Sequence, residues 1–306
     1  MPLPAPDFER LFAPGARHTL SGGHAVTIRL RTGAELSLPS GRVAAGEPFM
    51  YGSLQDSGGF IQRVPPGRYP VVLILGDFVG DRGNETYSFT TVAAARLVIR
   101  DEPVVSWEMA VYDGQDVGRL GDDEFYGYPV DGGTGGFVDV QNIAALCADY
   151  DAFIERLLVD FGDSDHDPTA PVIVTNAESE PVVVAFTSGG GDGRYPTWIG
   201  RTADGEVACV LTDFFQLPEE EDEKPAEPPR EDHLDPAGFA EGNGAPTSGR
   251  PLRTTAGVKP RTADLRTTPA VPALPPVPAV RSVRSVPAVP TKPARRADRA
   301  DGKTNS

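Results

Sequence analysis

Two glycine-rich stretches hold the carboxylates and aromatic side chains best placed to do chemistry. The first, GYPVDGGTGGFVD from Gly127 to Asp139, runs a glycine-rich loop into the start of an expected helix. Exposed amides and the helix dipole can hold an anion in such a setting. Asp131 and Asp139 oppose a phosphate there, no Lys or Arg lies within the loop, and the spacing is neither a P-loop nor a dinucleotide fingerprint. The second stretch, TSGGGDGRYPTWIGRTADGEVACVLTDF, sets Asp192 between glycines and follows it with Arg194, Tyr195 and Trp198. A hairpin turn is expected at Asp204 and Gly205, with Asp213 ending the strand after it. If Asp131, Asp139, Asp192 and Asp213 met in space, they could offer oxygens to a hard divalent cation such as calcium or magnesium, which would activate water or orient a substrate. The competing account is turn chemistry, because turns need side-chain acceptors and positive φ, which Asp and Gly supply. The sequence establishes no cofactor.

Other metal and nucleophile patterns are incomplete. DSDHDPTAP alternates Asp163, Asp165 and Asp167, but Pro168 stands where a calcium loop needs Gly, and its twelfth position is Val174 instead of Glu. His18, His24, His166 and His233 show no ligand spacing, and no Gly-x-Ser-x-Gly elbow occurs. Cys147 and Cys209 are far apart, outside any CxxC, and are expected to be buried small hydrophobes.

The elements that must carry these residues are mostly strands. Short β-branched and aromatic runs bounded by Gly, Pro, Asn or Asp recur at Val26–Leu30, Val71–Leu75, Tyr87–Thr90, Arg96–Ile99 and Val104–Tyr112. They continue at Val172–Thr175, Val182–Thr187, Pro196–Gly200 and Glu206–Thr212, about nine in all. In Val104–Tyr112, Val105, Trp107, Met109 and Val111 alternate with Ser106, Glu108 and Ala110, the pattern of a half-buried antiparallel strand. One amphipathic helix is expected near 139–161. Ile143, Leu146, Cys147, Tyr150, Ile154, Leu157, Leu158 and Phe161 fall on a single stripe, with Asp139 as N-cap. Many strands and one helix predict an α+β fold, predominantly antiparallel β, and argue against a doubly wound fold, which needs helices between successive strands.

Composition divides the chain near Pro218. Residues 1–217 hold 14 arginines, no lysine and 31 acidic residues, a net −17. Residues 218–249 hold 2 basic and 10 acidic residues, and residues 250–306 hold 12 basic and 3 acidic ones. The expected organisation is a single globular domain over 1–217 and a disordered Pro-rich tail over 218–306, acidic first and basic after, too poor in aromatics to offset its ordering entropy. The tail could serve as a spacer, bind a partner, or fold back on the acidic domain. A domain at −17 repels phosphate backbones, which excludes nucleic acid as its partner, and the same field speeds encounter with a basic protein. MPLPAPDFERLF lacks the basic and apolar regions of a signal peptide, and no run approaches a membrane span, so a cytoplasmic location is expected.

SGRVAAGEP, VPPGRYPVVL, AAARLVI followed by PVVSWEMAV, GYPVDGGTGGFVD and GGGDGRYPTWIGRTADGEVACVLTDF, in this order over most of Ser40 to Phe214, resemble the bacterial domain of unknown function 4241. The resemblance implies that Asp131, Gly133, Thr134, Asp139, Asp192, Gly193 and Tyr195 lie in the family's signature loops, and it supplies no activity. Two positions depart from the pattern: Glu47 stands where Asp is expected, and Gly190 where Trp is usual before Gly-Asp-Gly. The candidate binding residues are therefore Asp131, Thr134, Asp139, Asp192, Arg194, Tyr195 and Trp198. With no catalytic constellation legible, the leading expectation is a non-enzymatic acidic binding module, for instance an inhibitor or immunity-type protein for a basic partner. The alternative is a metal-assisted hydrolase or ligand-binding domain built on the four Asp residues.

Overall fold

A computed structural model describes residues 1–20, 24–55, 58–82, 85–162, 166–217 and 280–281. Thirteen strands lie between Arg17 and Asp213. The first six are β1 (Arg17–Thr19), β2 (Ala25–Leu38), β3 (Val43–Gly46), β4 (Gly67–Arg82), β5 (Glu85–Val98) and β6 (Ser106–Met109). They are followed by β7 (Glu124–Phe125), β8 (Gly127–Val130), β9 (Thr134–Asp139), β10 (Val172–Thr175), β11 (Pro181–Thr187), β12 (Gly193–Arg201) and β13 (Val207–Asp213). Among the described residues three α-helices, α1 (Phe8–Leu11), α2 (Val140–Ala148) and α3 (Tyr150–Gly162), and two short 3-10 helices, Pro48–Leu54 and Val117–Arg119, accompany them. The tail falls outside the described residues except for β14 (Val280–Arg281), which pairs with β7.

Every pairing is antiparallel. The large sheet runs β1-β2-β4-β5-β13-β12-β6, and β8 takes the N-terminal half of the β12 edge that β6 takes further along. The second sheet runs β10-β11-β9-β3. Leu36, Leu73, Leu97 and Ile199 from the first sheet interleave with Phe137, Val184 and Phe186 from the second to form the central core, the arrangement by which two pleated faces exclude water between them. The outer face of the large sheet, with Ile28, Ile74, Leu211 and Trp198, is covered by Phe8, Leu11 and Phe12 of the N-terminal segment. The outer face of the small sheet, with Val138, Val174 and Val183, is covered by Ile143, Phe153 and Leu157 of α2 and α3. The fold is thus α+β and predominantly antiparallel, as the composition of the runs predicts.

Three local expectations change. Tyr87–Thr90 and Arg96–Val98 belong to one long strand, β5, because the intervening Val92, Ala93 and Ala94 are themselves fully buried sheet residues, and Ile99 falls just beyond its end. The expected strand at Val104–Tyr112 narrows to β6, and its alternation fails at both ends: Val105 is exposed while Ala110 is buried. The single helix breaks at Asp149, whose φ of −125° and ψ of 57° leave the helical region. The break rotates α3 relative to α2, so the expected stripe splits: Ile143 and Leu157 go inward, joined by Phe153 from outside the stripe, while Tyr150 and Leu158 face solvent.

Candidate functional site

The two glycine-rich stretches meet at one corner of the sandwich. GYPVDGGTGGFVD runs directly into helix α2 as expected, but it is not a loop. It is strand β8, a three-residue turn at Asp131–Gly133, and strand β9, with β8 joined to one sheet and β9 to the other. The turn is therefore the point at which the chain crosses between layers. The glycines inside β9 make room for side chains stacked over it. A Cβ on Gly135 would sit 2.5 Å from the Tyr128 hydroxyl, and one on Gly136 would sit 2.7 Å from that of Tyr51. This correction removes the anion cradle, because the amides of β9 are taken up by ladders with β11 and β3.

The second stretch turns beside the first. Thr187 of β11 pairs with Thr134, the Ser188 amide donates to the Gly133 carbonyl at 2.9 Å, and Gly193 of β12 pairs with Val130. Between them, the Ser188 and Tyr195 hydroxyls both donate to the Gly191 carbonyl, at 2.7 and 2.9 Å. Gly189 adopts φ +66° with the Val92 carbonyl 2.1 Å from where a Cβ would stand, so no other residue fits there. Gly190, the position at which the resemblance leads one to expect Trp, has its would-be Cβ 2.8 Å from Gln216 Nε2. Gln216 fills the space that a large side chain would need.

Asp131, Asp192 and Arg194 are therefore brought to one corner, Asp131 and Asp192 exposed and Arg194 half-buried with its guanidinium donating to the Gly127 carbonyl at 2.8 Å. Partial burial lowers the Arg194 pKa. Thr134 and Tyr195 lie beneath them, both buried, and burial raises the Tyr195 phenol above its ordinary value. The Thr134 hydroxyl is buried with no hydrogen-bond partner, a cost that the surrounding packing must offset.

The other candidates go elsewhere. Trp198 points through the sheet to the opposite face, buried against Phe8 at a ring distance of 5.9 Å. Asp139 stands five residues along β9 from Thr134, roughly 17 Å at the rise of a strand. It is fully buried and accepts from the Ser40 amide and hydroxyl and from the Gln141 amide, the N-cap role that the sequence suggests. Asp213 is buried and accepts from the Phe215 amide at 3.0 Å, holding the turn that ends β13. Asp163 and Asp165 lie outside the described residues, and Asp167 is held by Arg31 and Thr169. That pairing keeps the Asp167 carboxyl well below the usual carboxylate range. Among the described residues, no group of three or more His, Cys, Asp and Glu side chains is gathered so as to hold a metal ion. Asp139 and Asp213 are occupied with backbone amides.

Sequence reasoning overlooked Glu47. Its carboxylate is almost wholly buried and accepts from the amides of Asp131 and Gly132, at 2.9 and 2.6 Å, fixing the turn between the layers. The signal was present as a departure from the Asp of the family pattern: Glu carries one more methylene, and this turn uses that reach. Burial raises the Cys209 thiol to about 11 and also raises that of Cys147. Raised values favour the protonated thiol, the less nucleophilic form. Cys209 is buried as expected, whereas Cys147 is only half-buried beside the break between α2 and α3.

No helix among the described residues is long and apolar enough to cross a membrane. The sequence profile of one family, described as a protein of unknown function (DUF4241), matches residues 36–212. No curated protein and no solved structure matches the chain.

Proposed function

We propose that this chain, which belongs to the DUF4241 family, is a cytoplasmic, non-enzymatic binding module whose acidic surface receives a basic protein. An inhibitor or immunity-type protein for a basic toxin is one concrete form of this reading. The observation that carries it is the charge of residues 1–217: 31 carboxylates against 14 arginines and not one lysine. Such a field raises the rate of encounter with a cation and disfavours nucleic acid as a partner. Exposed Asp131 and Asp192, presented on turns fixed by Glu47, Ser188 and Tyr195, give that field a rigid contact point. A rigid site loses less conformational entropy when it binds.

The test uses a lysine homopolymer as the basic probe and a glutamate homopolymer as control, titrated against the full chain. Saturable binding of the cationic polymer is expected. It should weaken steeply with salt as the screening length falls from about 30 Å at 0.01 M to about 3 Å at 1 M. The pair Asp131→Asn with Asp192→Asn should weaken it by about fivefold, the scale of two exposed charge contacts. No binding even at the lowest salt would overturn the reading.

A further inference from the structure

The tail supplies a basic segment of this chain at an acidic rim of the domain. Strand β7 is tied to the start of the chain, the Leu3 amide donating to the Glu124 carbonyl and the Asp123 amide to the Met1 carbonyl, both at 2.9 Å. It also pairs antiparallel with β14, Val280 opposite Phe125 and Arg281 opposite Glu124. The chain leading to β7 is acidic: Asp113, Asp116, Asp122, Asp123 and Glu124 stand against Arg119. The first four are exposed, and the amino terminus pairs with Asp122 while Arg119 lies 3.5 Å from Asp116. Carboxylates remain in excess.

The segment that reaches this rim has the opposite character. From Ala279 to Arg296 there are five cations, Arg281, Arg284, Lys292, Arg295 and Arg296, and no carboxylate. Pro278 and Pro287 bracket its AVRSVRSV core, and lacking N–H groups they stop a ladder from extending beyond it. The contact is therefore short by construction. Exposed ion pairs add about 0–1 kcal/mol each, so an isolated peptide of this sequence would bind weakly. Attachment to the same chain presents it at an effective concentration on the order of mM, enough to populate a weak contact.

We propose that the basic segment beginning at Val280 adds as a strand to β7 and occupies the acidic rim Asp113–Glu124 from within the same chain, as a displaceable competitor for a basic partner. The competitor role rests on the binding function proposed above; the pairing itself does not. β-Addition supplies position through main-chain bonds, and the charges supply most of the attraction. A stronger external cation therefore displaces the tail without unfolding anything.

Amide hydrogen exchange of the full chain tests the pairing, comparing the wild type with a triple variant, Val280→Pro, Arg281→Asp and Arg284→Asp. These substitutions lie outside residues 1–217 and leave all three cores untouched. At low salt the amide of Phe125, opposite Val280, should exchange about threefold faster in the variant, while that of Glu124, which donates to the Gly121 carbonyl, and those of β4 and β13 stay the same. High salt should bring the wild type towards the variant. Equal exchange at β7 in the two proteins would overturn the pairing. Protection that grows with protein concentration would overturn its intramolecular form in favour of the tail of a second copy. The lysine homopolymer then tests the competitor role: the variant should bind it more tightly than the wild type, and equal affinity alongside altered exchange would remove that role while leaving the pairing.

Discussion

Carboxylates at the seam between the two sheets and carboxylates on the turns above it share a chemistry but not an occupation. At the seam, Glu47, Asp139 and Asp213 are buried, and each accepts from backbone amides. On the turns, Asp131 and Asp192 face solvent. A buried carboxylate is tolerable only if donors replace its lost water, and the donors within reach of a corner between layers are the amides that no ladder uses. Burial therefore assigns these residues to architecture. The exposed ones keep their charge available to something outside. The difference teaches that a family's signature motif can mix both kinds: within GYPVDGGTGGFVD, Asp139 holds the fold together and Asp131 stands in solvent.

The comparison is broken most directly at Asp139. Asp139→Ala removes the acceptor for the Ser40 amide and for the Gln141 amide that opens α2. It also strands the Ser40 hydroxyl. A lost cap together with unsatisfied buried donors should cost about 2–4 kcal/mol, read as a fall in the denaturant midpoint at unchanged slope. Glu47→Ala comes next, at about 2 kcal/mol, because two amides lose their acceptor in a turn already shaped by Gly133 at φ +65°. Glu47→Asp should recover part of that loss. Asp131→Asn and Asp192→Asn, on the outer side of the comparison, should each change stability by less than about 0.5 kcal/mol while weakening the cationic probe. If Asp131→Asn were as damaging as Asp139→Ala, the division between buried and exposed roles would collapse.

Much of this was legible in the sequence, and what escaped has physical causes. Strands whose residues are β-branched, such as β10 and β11, announce themselves, because propensity and burial agree. Strand β9 escaped because its glycines, normally turn formers, were selected by the tyrosine hydroxyls packed over them, a tertiary demand with no local signature. The helix stripe fails at Asp149 for a related reason: its periodicity runs across a break that only the backbone reveals. Of the candidate site, the two glycine-rich stretches do converge, and Asp131, Thr134, Asp192, Arg194 and Tyr195 gather around them. Trp198 was misplaced because period two sends neighbours of Tyr195 to alternate faces, and nothing in one sequence says which face is covered by the N-terminal segment.

A small effect of a third kind lies between the two kinds of carboxylate. Asp77 on β4 takes two hydrogen bonds from Arg29 on the neighbouring β2, each at 3.0 Å, and a third from Thr90. The side chains remain about half and one-third exposed, at 52% and 36%. The bond from Arg29 is the main cause that holds the Asp77 carboxyl below its ordinary value, with Thr90 adding to it. A carboxyl whose folded pKa is depressed contributes stability above the unfolded value, near 3.9, and loses it as pH falls through the folded value. Solvent screening keeps the contribution to about 0.3–1 kcal/mol. Asp77→Asn should therefore lower stability by that amount at pH 7, and the gap between the two proteins should narrow below about pH 4 as the wild-type carboxyl takes up its proton. A gap that stayed constant into strong acid would mean that Asp77 acts through packing and neutral hydrogen bonds, which would place this half-exposed pair with the buried seam and not with the charged surface.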